Sequence, residues 1–199
     1  RENSCQQTFR NDSKRDEVAN EGMNEREANE GSVTNNLCSF SFLHWNVGGL
    51  SSKLSNKQFL SYILSFDFVC LVETFIEQLD SRLFPNHSVF CKPAVKLTRQ
   101  GRRSGGVVCL IKNDYVSFVS ELKCDQDNVL CFLIDKSLFG FDKNILYVCT
   151  YIPPRNSPYY TIFGMENGID CLEEVLIDKL LLDDDVDILL CGDLNGRMA

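Results

Sequence analysis

Two carboxylates, two amides and a phenol stand at the ends of four apolar runs in this chain. Asn46 closes SFSFLHWN, Glu73 closes DFVCLVE, Tyr151 closes NILYVCTY, and Asp193 with Asn195 closes VDILLCGDLN. Oxygen donors of these kinds suit a hard divalent cation and a phosphate ester, because Mg²⁺ takes oxygen ligands and keeps waters and substrate phosphate in its shell. Each residue also has a plainer reading. Glu73 alone reads as a solvated strand-end carboxylate, Asp193 and Asn195 as an Asx turn, Asn46 as a turn residue before Gly48-Gly49, and Tyr151 as an aromatic packed at a strand end. Asp193 stands to its strand as Glu73 stands to its own, which favours the chemical reading for both.

Apolar runs of this length, bounded by Gly, Asn or Pro, predict buried strands whose next residue is held at the sheet edge. After the strand ending at Asn46, Ser51 or Ser52 offers a cap for a helix with apolar positions Leu54, Leu60, Ile63 and Leu64. Phe66 to Val72 is the next strand. A right-handed crossover between the two strands brings Asn46 and Glu73 to one rim. Residues 76–104 read as a long loop, followed by a strand at Gly106 to Ile111. Runs at Tyr115 to Ser120, Val129 to Ile134 and Ile145 to Tyr151 predict an antiparallel meander, which Pro153 and Pro154 stop. Ile169, Leu172, Val175, Leu176 and Leu180 mark an amphipathic helix, and Val186 to Cys191 the final strand. His44 lies two residues before Asn46, so the two share a strand face, and it reads as a buried, hydrogen-bonded histidine. His87, in FPNHS, reads as surface. Asp183, Asp184, Asp185 and Asp187 lie before the last strand and read as a solvated connection.

HWNVGGL (44–50), LVET (71–74), SGGVVCLIK (104–112), YIPP (151–154) and GDLNGR (192–197) occur in the order seen in the endonuclease/exonuclease/phosphatase superfamily. Within it, residues 37–199 most resemble the apurinic-endonuclease-like domain of LINE-type (non-LTR) retrotransposons. The resemblance implies an α/β fold: two packed mixed β-sheets flanked by helices, a four-layer sandwich. It implies Mg²⁺, with Mn²⁺ as the alternative, and hydrolysis of a DNA phosphodiester that leaves a primer end for reverse transcription. By the same resemblance Glu73 is the principal metal ligand, with Asn46 in the metal shell or on the phosphate. Asp193 and Asn195 position the attacking water, and Tyr151 steadies the phosphate. Apurinic repair enzymes commonly carry Asp two residues after this Asn, where the chain has Gly48; that departure points toward the retroelement branch. The family's later Ser-Asp and Asp-His motifs would follow Ala199, so the resemblance implies the N-terminal two-thirds of a domain, weak or inactive alone. A reverse transcriptase domain in a parent polyprotein is the matching expectation. The alternatives are a phosphatase or phosphodiesterase acting on a lipid, inositol phosphate or nucleotide, and a non-catalytic remnant.

With 199 residues, 44% of them hydrophobic, the chain is long enough for one core plus a tail. Residues 1–36 are polar and nearly empty of large apolar side chains, which predicts a disordered tail; residues 37–199 form the domain. The ten cysteines lie singly, with no Cys-x-x-Cys pair. This excludes zinc-ribbon and thioredoxin readings. Cys70, Cys109, Cys149 and Cys191 read as reduced core residues of an intracellular protein, with the nucleus a plausible location and no disulfide-linked partner. A net charge of −8 argues against a high-affinity non-specific DNA binder. Locally the sign reverses: Lys92, Lys96, Arg99, Arg102, Arg103 and Lys112 occur without an acidic residue between them. Arg99, Arg102 and Arg103 are the candidate contacts to a DNA backbone, and a merely solvated loop is the alternative. No run approaches the roughly 18 apolar residues of a membrane helix.

Overall fold

The computed structural model describes residues 4–9, 39–181 and 185–195. One sheet has five strands: β1 (Ser4–Phe9), β2 (Phe40–Asn46), β3 (Phe68–Val72), β4 (His87–Lys92) and β5 (Val107–Lys112), in the order β1-β2-β3-β5-β4. The other has four: β6 (Val119–Leu122), β7 (Val129–Ile134), β8 (Asn144–Tyr151) and β9 (Val186–Asp193), in that order. Among the described residues three α-helices accompany them, α1 (Lys57–Ile63), α2 (Pro158–Phe163) and α3 (Gly168–Leu180).

Strand periodicity explains the layering. On β2 the even positions Phe40 and Phe42 turn inward, and β3 contributes Phe68, Cys70 and Val72 to the same buried cluster. The second sheet answers with Leu130, Phe132 and Ile134 of β7 and Ile145, Tyr147, Cys149 and Tyr151 of β8. Phe42 stacks on Phe68 at 4.6 Å and meets Tyr147 edge-on at 5.7 Å, closing the space between the sheets with aromatic contacts. The alternate residues Leu43, Val69, Leu71, Val108 and Leu110 face outward beneath Phe59 and Ile63 of α1. Cys131, Leu146 and Val148 do the same beneath Leu172 and Val175 of α3. Helix, sheet, sheet and helix therefore form the expected four-layer α/β sandwich. A fully buried Phe or Leu contributes roughly 1.5–3 kcal/mol relative to exposure, so the inter-sheet cluster dominates stability.

Two parallel pairs position the polar strand ends. β2 runs parallel to β3 with Asn46 opposite Val72, and β8 runs parallel to β9 with Tyr151 opposite Asp193. Each pair ends its strands at one rim of its sheet, and the two rims coincide.

The structure differs from the sequence reading in the following elements. Ser4–Phe9, within the segment read as a polar tail, pairs antiparallel with β2; an edge strand is held by backbone groups and needs little apolar character of its own. Residues 1–3 and 10–38 lie outside the described residues. The helix cap is Asn56, whose Oδ1 accepts from Gln58 N at 2.9 Å and Phe59 N at 3.2 Å; Ser51 and Ser52 lie in the preceding turn, and α1 is correspondingly short. The long loop contains β4, an edge strand whose half-buried residues carry no clean alternation. The run at Tyr115 begins as a tight turn, Val116–Phe118, and becomes strand at Val119, while Tyr115 itself packs against Phe40 at 5.4 Å. Finally, His87 is buried, with Nε2 3.2 Å from the carbonyl of Phe66. The amphipathic helix and the strand at residues 186–193 stand where the periodicity put them.

Candidate active site

Asn46, Tyr151 and Asp193 all occupy inward-facing positions at the last step of their strands. Toward this end the inner face of β2 changes from Phe40 and Phe42 to His44 and Asn46. The sandwich is greasy in its middle and polar at its rim. Asn46 Nδ2 donates to Asp193 Oδ2 at 2.7 Å, joining residues 147 positions apart and tying the two sheets together. The Tyr151 hydroxyl approaches the Glu73 carboxylate closely enough for that carboxylate to raise its pKa, a second point where the two sheets meet. Asn195 N donates to Asp193 Oδ1 at 3.0 Å, so both carboxylate oxygens of Asp193 are held.

Glu73 reaches the rim by a backbone device. It lies one residue past β3 and has φ of 53°, a left-handed conformation that points its side chain differently from a continuing strand. Gly49 N donates to Glu73 O at 2.7 Å, while Thr74 N and Phe75 N donate to the carbonyls of Gly106 and Gly105 at 3.2 and 3.1 Å. A Cβ at Gly106 would lie 2.5 Å from Thr74 Oγ1, so only glycine lets this segment approach. The non-glycine residues with positive φ among those described are Glu73, Phe75 and Asn195, all at this rim. Left-handed non-glycine backbone costs on the order of 1–3 kcal/mol and clusters at functional sites.

Electrostatics follow the geometry. Burial pushes the Tyr151 phenol well above its ordinary pKa, and the hydrogen bond and charge of Glu73 push it further, with Asp193 adding to the effect. Tyr151 is therefore a hydrogen-bond donor throughout the working pH range. Burial lowers the pKa of His44 against the opposing pull of Cys149 and Asp193, which favours the neutral imidazole. Its Nε2 is buried without a hydrogen-bond partner among the described residues, so the hydrogen bonding that the sequence suggested is not met at that nitrogen.

The predicted basic contacts are not equivalent. Arg103 is engaged by Glu77 and donates to Ala94 O at 3.2 Å. Lys112 pairs with Asp67 at 2.7 Å, and Lys92 donates to Cys124 O at 2.5 Å. Arg99 is exposed. Arg102 lies over the ring of Phe75, the residue two along from Glu73, 4.6 Å from its centroid. Of the acidic run, Asp185 pairs with Lys143 at 2.8 Å and Asp187 is exposed; Asp183 and Asp184 lie outside the described residues.

Asn128 escaped the sequence reading. Its carbonyl accepts from Tyr151 N at 3.0 Å, and its Oδ1 lies 3.4 Å from Gly106 N, so one buried residue couples Tyr151 to the glycines that support Glu73. Nothing in the local string DQDN signals that role.

The sequence of residues 43–198 matches the Endonuclease/Exonuclease/phosphatase family. The chain belongs to that family. Its enzymes hydrolyse phosphodiester bonds and generally depend on a divalent metal. No protein of curated function matches the sequence. Among solved structures, the chain is similar to "Structure of the human Nocturnin catalytic domain with bound sulfate anion", with 14% identity and a TM-score of 0.48. That match covers 78% of this chain, which spans 64% of the human catalytic domain.

The rim fits the family's metal requirement. Among the described residues no three His, Cys, Asp or Glu side chains gather into a metal cage. The donors present are the Glu73 carboxylate and the Asn46 amide oxygen, which among the described residues accepts from Gly48 N alone, at 3.1 Å. One carboxylate with a neutral oxygen suits a cation that retains waters and takes up substrate phosphate, rather than one enclosed by protein. No described helix is long and apolar enough to cross a membrane.

Proposed function

We propose that this chain is a Mg²⁺-dependent DNA-nicking phosphodiesterase of the LINE retrotransposon type. The observation that carries the proposal is the Asn46–Asp193 bridge at 2.7 Å beside the Tyr151–Glu73 pair. Four residues from four strands converge there in an arrangement that packing alone does not require. Glu73, with Asn46, would hold the cation, which when bound neutralises charge on the phosphate oxygens. Asp193 is held by two hydrogen bonds in one orientation, as a group that orients a water and accepts its proton must be. Asn195 Nδ2 is fixed on Ile152 O at 2.8 Å, leaving Oδ1 to accept from that water. The Tyr151 hydroxyl, always protonated, can turn from Glu73 to a non-bridging phosphate oxygen, where charge builds during hydrolysis. DNA as the substrate, and access to the nucleus with it, rests on the ordered motifs, on Gly48, and on Arg102 at the rim.

A second reading keeps the site and changes the substrate to a soluble phosphoester. It is favoured by the loss of Lys92, Arg103 and Lys112 to protein acceptors and by the net charge of −8. Incubation of supercoiled plasmid with Mg²⁺ or EDTA, beside Glu73→Ala and a panel of soluble phosphomonoesters and phosphodiesters, separates the readings. Mg²⁺-dependent nicking absent from the variant supports the first. Release of phosphate from the small esters without nicking supports the second, and a folded protein inactive on both refutes the hydrolytic role.

A further inference from the structure

Phe75 carries four features that packing does not explain together. It is only half-buried although it follows a fully buried threonine. It adopts φ of 55°, which is strained for an aromatic residue. Its backbone is pinned there by Gly105 O at 3.1 Å, and its Cδ2 would lie 3.4 Å from a Cβ at Gly49, so the ring stands directly against the turn after Asn46. Its face holds the guanidinium of Arg102, 4.6 Å from the ring centroid. Arg102 is exposed and, among the described residues, makes no hydrogen bond or ion pair, so none of them takes up its N–H donors. Neighbouring Arg103 is neutralised by Glu77 instead. Between Glu73 and the Gly48-Gly49 turn, the rim thus presents a rigid aromatic ring topped by an unspent cation.

We propose that Phe75 and Arg102 form a platform on which a nucleobase next to the scissile phosphate stacks, while the guanidinium donates to a phosphate or base acceptor. The inference rests on the phosphodiesterase reading above and narrows its substrate to a nucleic acid with an unstacked base beside the cut. Aromatic rings and Arg planes are the usual supports for splayed bases. A fixed φ and a glycine wall give the ring one orientation, which reduces the ordering cost of binding.

The test is fluorescence anisotropy in EDTA with two labelled 12-mers of equal phosphate count, oligothymidylate and its abasic counterpart. One stacked base corresponds to roughly fivefold to a hundredfold in affinity, so the full chain is expected to bind the thymidylate about tenfold more tightly. Phe75→Leu should bring the ratio of affinities close to one, and Phe75→Trp should preserve it. Arg102→Ala should weaken both probes and reduce the salt slope by about one. A ratio near one in the native chain overturns the platform, as does a ratio retained by Phe75→Leu with a native melting temperature. Should Phe75→Leu not fold, the native ratio and the Phe75→Trp and Arg102→Ala chains decide the matter. Plasmid nicking without base-dependent binding sinks this inference alone, whereas base-dependent binding without hydrolysis of any phosphoester sinks the enzymatic reading and leaves the platform standing.

Discussion

Replacing Gly192 by alanine should uncouple the two carboxylate-bearing rims. Gly192 precedes Asp193 on β9 and sits opposite Thr150 of β8. A Cβ there would meet the Thr150 carbonyl oxygen well inside the 3.0 Å that real Cβ contacts keep, and would lie 2.8 Å from both Thr150 C and Thr150 Cγ2. The obstacle is backbone, so no rotamer relieves it, and the strands must separate by on the order of 1 Å. The described partner of β9 is β8 alone, so β9 is the strand that yields. Overpacking of this kind costs about 1–3 kcal/mol. The displacement also stretches the 2.7 Å Asn46–Asp193 bond, a charge-assisted contact of about 1.5–3 kcal/mol. A net loss near 3 kcal/mol is expected, or roughly 6–12 °C in melting temperature for a chain of this size. A shift of about 1 Å at a reacting group costs on the order of a hundredfold in rate, so nicking should fall further than stability alone explains. Urea titration and then plasmid nicking under folding conditions measure both. An unchanged urea midpoint with unchanged nicking would refute the close-packed β8–β9 register and the positioning of Asp193 built on it.

Glu73→Gln should abolish stabilisation by metal: Mg²⁺ at tenfold its dissociation constant adds about 1.4 kcal/mol to the native chain, visible as a rise in melting temperature that EDTA reverses, and a variant that keeps the rise would remove Glu73 as the ligand. Asn46→Ala frees Asp193 Oδ2 and removes an amide oxygen from the rim, so nicking should fall on the order of a hundredfold while the melting temperature moves by only a few degrees; equal rates would show the bridge to be incidental. Burial pushes the Asp67 carboxyl up, but the Lys112 ammonium and two hydrogen bonds from Ser41 outweigh it and hold the group below the usual carboxylate range. Its stabilisation is therefore full above about pH 4 and lost as pH falls through the depressed folded value. Asp67→Asn should cost about 2 kcal/mol at pH 7 and progressively less in acid, and a loss independent of pH would contradict the ion pair.

How much of this architecture the sequence disclosed depends on how local the causes are. Asn46, Glu73, Tyr151 and Asp193 were legible because each ends an apolar run long enough to be a buried strand, and parallel pairing then aligns the ends. Helix α3 was legible from its period. Strand β4 was not, because an edge strand keeps a half-polar surface and leaves no alternation to read. His87 looked exposed because FPNHS is polar, yet β4 places it under Phe66, a contact no local pattern encodes. Arg99, Arg102 and Arg103 looked alike as a charge run; only the fold distinguishes the cation paired with Glu77 from the one resting on Phe75. Asn128 and Phe75 were invisible for the same reason, since their roles lie in contacts with Tyr151, Gly105 and Gly49.

The left-handed backbone at Glu73, Phe75 and Asn195 bears on how such a site can act. Together these conformations cost several kcal/mol, a substantial part of the roughly 5–15 kcal/mol by which domains are stable. They persist because Gly49 N, Thr74 N, Phe75 N and the Asn195 side chain each find a carbonyl, at 2.7 to 3.2 Å. The same hydrogen bonds would be lost if the segment relaxed to ordinary strand, so the strained rim is also a stiff one. Stiffness would suit a site with two carboxylates that takes the phosphodiester proposed above. Repulsion between Glu73, Asp193 and a phosphate must be overcome by a cation and by donors already aimed at it, because donors that first had to reorient would return much of that energy. The sheets fix the Tyr151 ring and the Asn46 amide before any ligand arrives, so the one movement left to the phenol is rotation of its hydroxyl hydrogen from Glu73 to the phosphate.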